Sequence, residues 1–265
     1  MTAQIFIDGE AGTTGLLIRE LLTERSDLTF IRLNDSERKD LKLRKDALNS
    51  CSLAMLCLPD EAARESIALI KNPDVKVIDT STAHRVSPEW VYGFPEMTRG
   101  QTELIKKAQR VANPGCYPTG AISLVRPLIE NSIIPSSYPL TINAVSGYSG
   151  GGKSLIKRFE TEKNEAPPFY LYGTNLSHKH LPEMQQYIGL DNPPFFIPSV
   201  GKYMHGMIVQ VPIYLSKTLN AVNKTQTIHD ALSQHYDNSE FVRVNPFDTA
   251  RTPVEISPEK LNHSN

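Results

Sequence analysis

The chain has 265 residues, 40% of them apolar and 22% charged, with a formal net charge of -1. That length suits one large domain or two ordinary ones with a substantial core. The near-neutral charge excludes a general attraction to nucleic acid or anionic membrane, so the expected partners are small molecules. No run approaches the roughly 20 apolar residues of a spanning helix. The N-terminus enters strand-like sequence without a signal peptide's basic and apolar regions, so a cytoplasmic location is expected.

In chain order, Gln4 to Asp8 reads as a short apolar strand, followed by Gly9-Glu-Ala-Gly12-Thr13-Thr14-Gly15 and the amphipathic run LLIRELLTE. Strand, glycine turn and helix in that order let the backbone approach a pyrophosphate, whose charge the helix N-terminus favours. The spacing is GxxGxxG rather than GxGxxG, and a ligand-free turn has the same spelling. A second strand, Leu28 to Leu33, ends at Asn34-Asp35-Ser36-Glu37-Arg38-Lys39, where such a fold presents the adenosine ribose. Asp35, 20 positions after Gly15, suits a free ribose hydroxyl and NAD. Ser36, Arg38 and Lys39 suit a 2′-phosphate, and the expected cofactor is NADP.

Strand Leu53 to Leu58, helix Asp60 to Lys71 and strand Lys76 to Asp79 continue the rhythm of a parallel doubly wound sheet. The loop DTSTAHR follows at the carboxyl edge, where ligands bind such sheets, so Ser81, His84 and Arg85 are candidate contacts. Three cysteines cannot all pair; Cys51 and Cys57 lie in or beside an apolar run, where a cysteine behaves as a small hydrophobe. Cys116 differs. It follows a short strand and the turn Asn113-Pro114-Gly115 and sits at the mouth of a helix expected to begin near Pro118 and Thr119. A helix N-terminus stabilises the thiolate, so Cys116 is a candidate nucleophile.

The motif Asn113-Pro-Gly-Cys116-Tyr-Pro-Thr119, with DTSTAHR, GFPEM, AVSGYSGGGK, LSHKHLPEM and FIPSVGKY in one order, resembles the N-acetyl-γ-glutamyl-phosphate reductases of the shorter subtype, relatives of aspartate-semialdehyde dehydrogenase. The resemblance implies an α/β fold with two parts: a Rossmann-like dinucleotide-binding domain over residues 1–113, and an α+β catalytic domain of the semialdehyde dehydrogenase type over 114–265. It also implies that the sheet of the second domain forms a subunit interface, giving a homo-oligomer, dimer or tetramer. The reaction implied is NADPH-dependent reduction of an acyl phosphate to an aldehyde through a thioester on Cys116, with release of inorganic phosphate, in arginine biosynthesis. Aspartyl phosphate is the near alternative substrate. The family continues through a further segment and a final helix that packs back on the cofactor domain, where this sequence ends at Asn265. A binding module that keeps the fold without turnover therefore stays open.

The run Tyr138 to Ser146 reads as a strand, followed by Gly147-Tyr-Ser-Gly150-Gly-Gly152-Lys153-Ser154 and the helical LIKRFETEK. This spells a phosphate-binding P-loop, but little alternating strand and helix sequence remains to build a nucleotide fold around it. In a reductase, its consecutive N–H groups and Lys153 would instead hold the acyl phosphate. The acid/base the chemistry needs is expected from Leu176-Ser-His178-Lys-His180, where an extended run would let only one histidine face the cysteine. No third ligand joins the pair, so no metal site is expected. The remaining expected contacts are Gly150 to cofactor, and Arg85, Asn113, Ser146, Gly147, Lys153 and Lys202 to substrate, with His205 a weaker candidate beside Lys202.

Overall fold

Apolar runs of four to six residues separated by amphipathic ones fold into a parallel α/β unit. A computed structural model describes residues 2–161, 166–218 and 223–247. Two compact units divide the chain, Met1–Pro95 with Gly100–Gly115 and Glu96–Arg99 with Cys116–Asn265. The first unit runs β1 (Ala3–Asp8), α1 (Thr13–Leu22), β2 (Leu28–Ile31), α2 (Leu41–Ser50), β3 (Leu53–Leu56), α3 (Asp60–Leu69), β4 (Lys76–Asp79), β5 (Val91–Tyr92), α4 (Gln101–Lys107) and β6 (Arg110–Ala112). Its six strands are all parallel, in the order β2-β1-β3-β4-β6-β5. The strand order reverses beside β1, so the carboxyl ends of β1 and β3 open a crevice of the kind that binds ligands. Helices cover both faces, so the strands read as continuous apolar runs and Phe6, Leu48, Leu56, Val77 and Ala112 form a buried core with Trp90. The Asp40 carboxylate caps α2 by accepting from the Lys42 and Leu43 N–H groups.

The second unit runs α5 (Cys116–Glu130), β7 (Thr141–Gly147), α6 (Gly152–Thr161), β8 (Phe169–Leu171), α7 (Leu181–Ile188), β9 (Phe195–Gly201), β10 (Met207–Gln210) and α8 (Lys224–His235). Its sheet is mixed, in the order β10-β7-β9-β8, with β7 and β9 parallel and both edge strands antiparallel to their neighbours. One face, carrying Ile142, Ala144, Phe196 and Val200, is buried. On the other, Phe169, Leu171 and Phe195 are 49%, 56% and 49% exposed. α5 approaches β10 closely at Gly120, where a Cβ would fall 2.7 Å from Val209.

α5 begins at Cys116, two residues earlier than Pro118, so the cysteine is its first residue. Proline is tolerated there because the first-turn N–H groups have no intrahelical acceptor. Pro127 lies inside the same helix and cannot bond the Ser123 carbonyl four residues back. The Tyr236 hydroxyl, at the end of α8, donates to that carbonyl instead at 2.8 Å. Among the described residues no helix is long and apolar enough to cross a membrane. The end of the expected helix LIKRFETEK and the tail from Asp248 lie outside the described residues.

Candidate active site

In the first unit, Gly9 and Gly12 line a cavity of about 540 Å³ together with Asp35, Arg38, Lys39 and Arg44. Gly9 has φ +90, and a Cβ there would collide with the Cys57 carbonyl. A Cβ on Gly15 would fall 2.6 Å from the Gly9 carbonyl, so the turn closes tightly only with glycine at both positions. No side chain caps α1, whose N-terminus at Gly12 lines the cavity and favours a phosphate there. At the other end of the cavity, Arg38 pairs with Asp35 at 3.2 Å and Lys39 adds a second cation. These residues fit a dinucleotide whose ribose carries a phosphate. Thr13, Thr14, Ser36 and Ser81 stand off the cavity wall, and the Ser36 hydroxyl donates to the Asn34 side chain at 2.6 Å.

The DTSTAHR loop is a buried polar network. The fully buried Asp79 carboxylate accepts from the Ser81 N–H and hydroxyl at 3.0 and 2.7 Å. His84 Nδ1 lies 2.7 Å from the same carboxylate while its ring stacks on Trp90 at 4.3 Å. Arg85 is buried and donates to the main-chain carbonyls of Asn113 and Thr80, both at 2.9 Å. That geometry ties together two strand ends, a use of the guanidinium that sequence alone did not suggest.

In the second unit, Cys116 is exposed, with the positive end of α5 at its sulfur. The other two thiols contrast with it: burial pushes Cys51 and Cys57 both up to about 11, which leaves them protonated at neutral pH. The neighbouring Tyr117 is buried, and its ring meets His178 at 6.3 Å, His180 at 6.0 Å and Phe196 at 5.2 Å. Its hydroxyl donates to Ser146 Oγ at 2.9 Å and accepts from the Tyr172 hydroxyl at 3.2 Å. Burial raises both phenols above their usual range, and negative charge on Cys116 adds to the rise in each. The two phenols and the cysteine therefore share one electrostatic neighbourhood.

The histidine run is a turn, not an extended strand. His178 Nδ1 accepts from the His180 N–H at 3.1 Å, and the rings lie 4.7 Å apart at 67°. Both histidines therefore reach the Tyr117 ring, because the run is not the extended segment in which i and i+2 point to opposite sides. His180 is buried, whereas His178 is half-buried, and its pKa is lowered by burial and then by Lys179. Among the described residues no group of three His, Cys, Asp or Glu could hold a metal.

The glycine loop after β7 is built against the turn at 203–206. Gly147, Tyr148 and Ser149 donate their N–H groups to the carbonyls of Gly206, Tyr203 and Met204 at 2.9, 2.9 and 3.0 Å. Three successive N–H groups at the start of the loop are thus spent within the fold. Lys153, at the start of α6, and Lys202, just after β9, are both exposed. His205 Nδ1 lies 3.0 Å from the Ser149 hydroxyl, so it supports the loop. Tyr117 and Tyr172 are the residues sequence reasoning missed. The only signal was Tyr117's position beside the cysteine, because Tyr172 joins it through contacts 55 residues apart.

The chain matches the family model described as semialdehyde dehydrogenase, NAD binding domain, over residues 5–105 and that described as semialdehyde dehydrogenase, dimerisation domain, over 116–263. It is 50% identical to the N-acetyl-gamma-glutamyl-phosphate reductase of Rhizobium meliloti, covering 98% of this chain and 85% of that one. With N-acetyl-gamma-glutamyl-phosphate reductase 2 of Nostoc sp. the identity is 52%, covering 92% and 77%. Among solved structures, aspartate semialdehyde dehydrogenase II of Vibrio cholerae superposes with a TM-score of 0.62 at 15% identity, over 92% of this chain and 81% of that one. The NADP-bound aspartate semialdehyde dehydrogenase of Candida albicans gives 0.57 at 10%, over 87% and 76%. The latter two likenesses carry the fold alone, while half-identity over nearly the whole chain carries the finer assignment: the chain belongs to the N-acetyl-gamma-glutamyl-phosphate reductase family of NADP-dependent semialdehyde dehydrogenases.

Proposed function

We propose that this chain reduces N-acetyl-γ-glutamyl phosphate to the corresponding semialdehyde, with residues 1–113 binding NADP and 114–265 carrying the chemistry. The observation that carries the reading is Cys116 at the first residue of α5, in one unit with the half-buried His178 and the buried Ser146. The Cys116 thiolate attacks the acyl carbon and phosphate leaves, so a thioester replaces the mixed anhydride. NADPH, when bound, supplies the hydride that converts the thioester to a thiohemiacetal. His178 then takes part in the proton transfers at the thiohemiacetal oxygen that free the aldehyde and restore the thiolate. We assign this role to His178 rather than His180 because the former is open to a ligand while the latter is 5% exposed. Its lowered pKa keeps it neutral, the form a base needs.

Within the first unit, Gly9, Gly12 and Gly15 form the pyrophosphate turn, with Arg38 at the ribose phosphate. Within the second unit, Ser146, Lys153 and Lys202 form the substrate side, and within the first Arg85 holds the Asn113 carbonyl. The open sheet face bearing Phe169, Leu171 and Phe195 pairs two copies of the chain, since three large apolar side chains about half exposed on one face are too many for a bare surface. The location that fits this reading is the cytoplasm. Phosphate-dependent reduction of NADP by N-acetyl-glutamate semialdehyde, run on the chain and on Cys116→Ser, tests the assignment, with aspartate semialdehyde as comparison. Activity lost in the variant supports it; equal rates with both aldehydes, or a fully active variant, refute it.

A further inference from the structure

A hydroxyl carries one proton and two lone pairs, so a chain of hydroxyls can be followed proton by proton. Tyr172 gives its proton to the Tyr117 oxygen at 3.2 Å. Tyr117 has two acceptors for its single proton, Ser146 Oγ at 2.9 Å and the Ser199 carbonyl at 3.2 Å. When it bonds the Ser199 carbonyl, Ser146 returns its own proton to the Tyr117 oxygen. When it bonds Ser146, the Ser146 proton has no acceptor among the described residues and is free for a ligand. Either arrangement keeps the hydroxyls bonded, so the change between them is a rotation and costs little. Ser146 is 5% exposed, ends the inward-facing row of β7, and is approached by Gly150, where a Cβ would lie 3.7 Å from its oxygen. Glycine there keeps a side chain off the hydroxyl.

We propose that Tyr117 and Tyr172 are positioning residues: the Tyr117 proton, donated to Ser146 Oγ, holds that hydroxyl turned to donate to the oxygen that becomes negative when Cys116 attacks. The inference rests on Cys116 being the nucleophile. Tyr117 directly follows Cys116 in the first turn of α5, and Tyr172 bonds its hydroxyl. The aromatic packing of Tyr117 against His178 and Phe196 holds its hydroxyl within reach of both acceptors. A buried donor aimed at developing charge is worth a factor of about 100 to 1000 in rate.

The test is a double-mutant cycle on the full chain, read as kcat and KM separately. Ser146→Ala is expected to lower kcat about 100-fold with KM changed less than threefold. Tyr117→Phe keeps the ring and its packing, and is expected to lower kcat about tenfold. Tyr172→Phe is expected to have a smaller effect. The combined Tyr117→Phe, Ser146→Ala variant is expected to be no slower than Ser146→Ala alone, because the phenol acts only through the serine. A further tenfold loss in the combined variant, or wild-type kcat in Tyr117→Phe, overturns the proposal. Full activity in Cys116→Ser would sink the nucleophile assignment and this inference together, whereas an additive cycle with an inactive Cys116→Ser sinks this inference alone.

Discussion

Replacing Gly147 with alanine tests the glycine loop more sharply than any change at its charged residues. The backbone at Gly147 has φ -65, which alanine adopts freely, so any cost is steric. A Cβ there would lie 2.5 Å from the Met204 carbonyl oxygen and 2.8 Å from that of Tyr203, both main-chain atoms that cannot swing aside. Relief requires moving the 203–206 turn away, which stretches the three hydrogen bonds that Gly147, Tyr148 and Ser149 make to it. At about 1 kcal/mol per bond, with the one to three of overpacking as a cross-check, the expected loss is about 2–4 kcal/mol. Gly150→Ala is the control, since its Cβ would meet only Ser146 Oγ at an ordinary 3.7 Å; its expected change in stability is below about 0.5 kcal/mol. Urea denaturation followed by far-ultraviolet circular dichroism measures both variants. Equal midpoints for the two would refute the argument, because it would mean that the loop and the turn do not hold one another.

The half-buried His178 has a pKa below the ordinary value, so between that lowered value and about 6.5 the unfolded chain binds the proton and the folded chain does not. Stability should fall as pH is lowered through that window and level off beneath it, and His178→Asn should flatten this part of the denaturation profile. Arg38→Gln should weaken NADPH binding about 10- to 100-fold and leave NADH binding nearly unchanged, as read by quenching of Trp90 fluorescence or by calorimetry. Phe195→Glu puts a charge on the open sheet face, where Phe195 is 49% exposed, and should shift the chain to a smaller assembly in analytical ultracentrifugation while its own fold persists.

Local sequence determined the cofactor unit. A strand, a glycine turn and an amphipathic helix are contiguous, so their order alone specified β1, the turn at Gly9 to Gly15 and α1, and the parallel rhythm through Asp79 followed the same logic. The place of Cys116 at a helix start was legible for the same reason, since the turn, the cysteine and the helix are neighbours in the chain. The second unit was less legible because its contacts are not local: β7 pairs with β9 across about 50 residues, and the edge strands β8 and β10 are short. The loop after β7 shows why. Its spelling matches a phosphate loop, yet the partners that consume its N–H groups lie at 203–206, where no spacing rule could find them. The histidines were hard to place for a related reason, as alternation of sides holds only in an extended run and 178–180 forms a turn. Sequence thus determined the residues whose role depends on their chain neighbours. Tertiary structure alone decided how Tyr117, Ser146, Tyr172 and His178 meet, because hydrogen bonds and ring contacts between distant segments are satisfied only once the sheet and helices have packed.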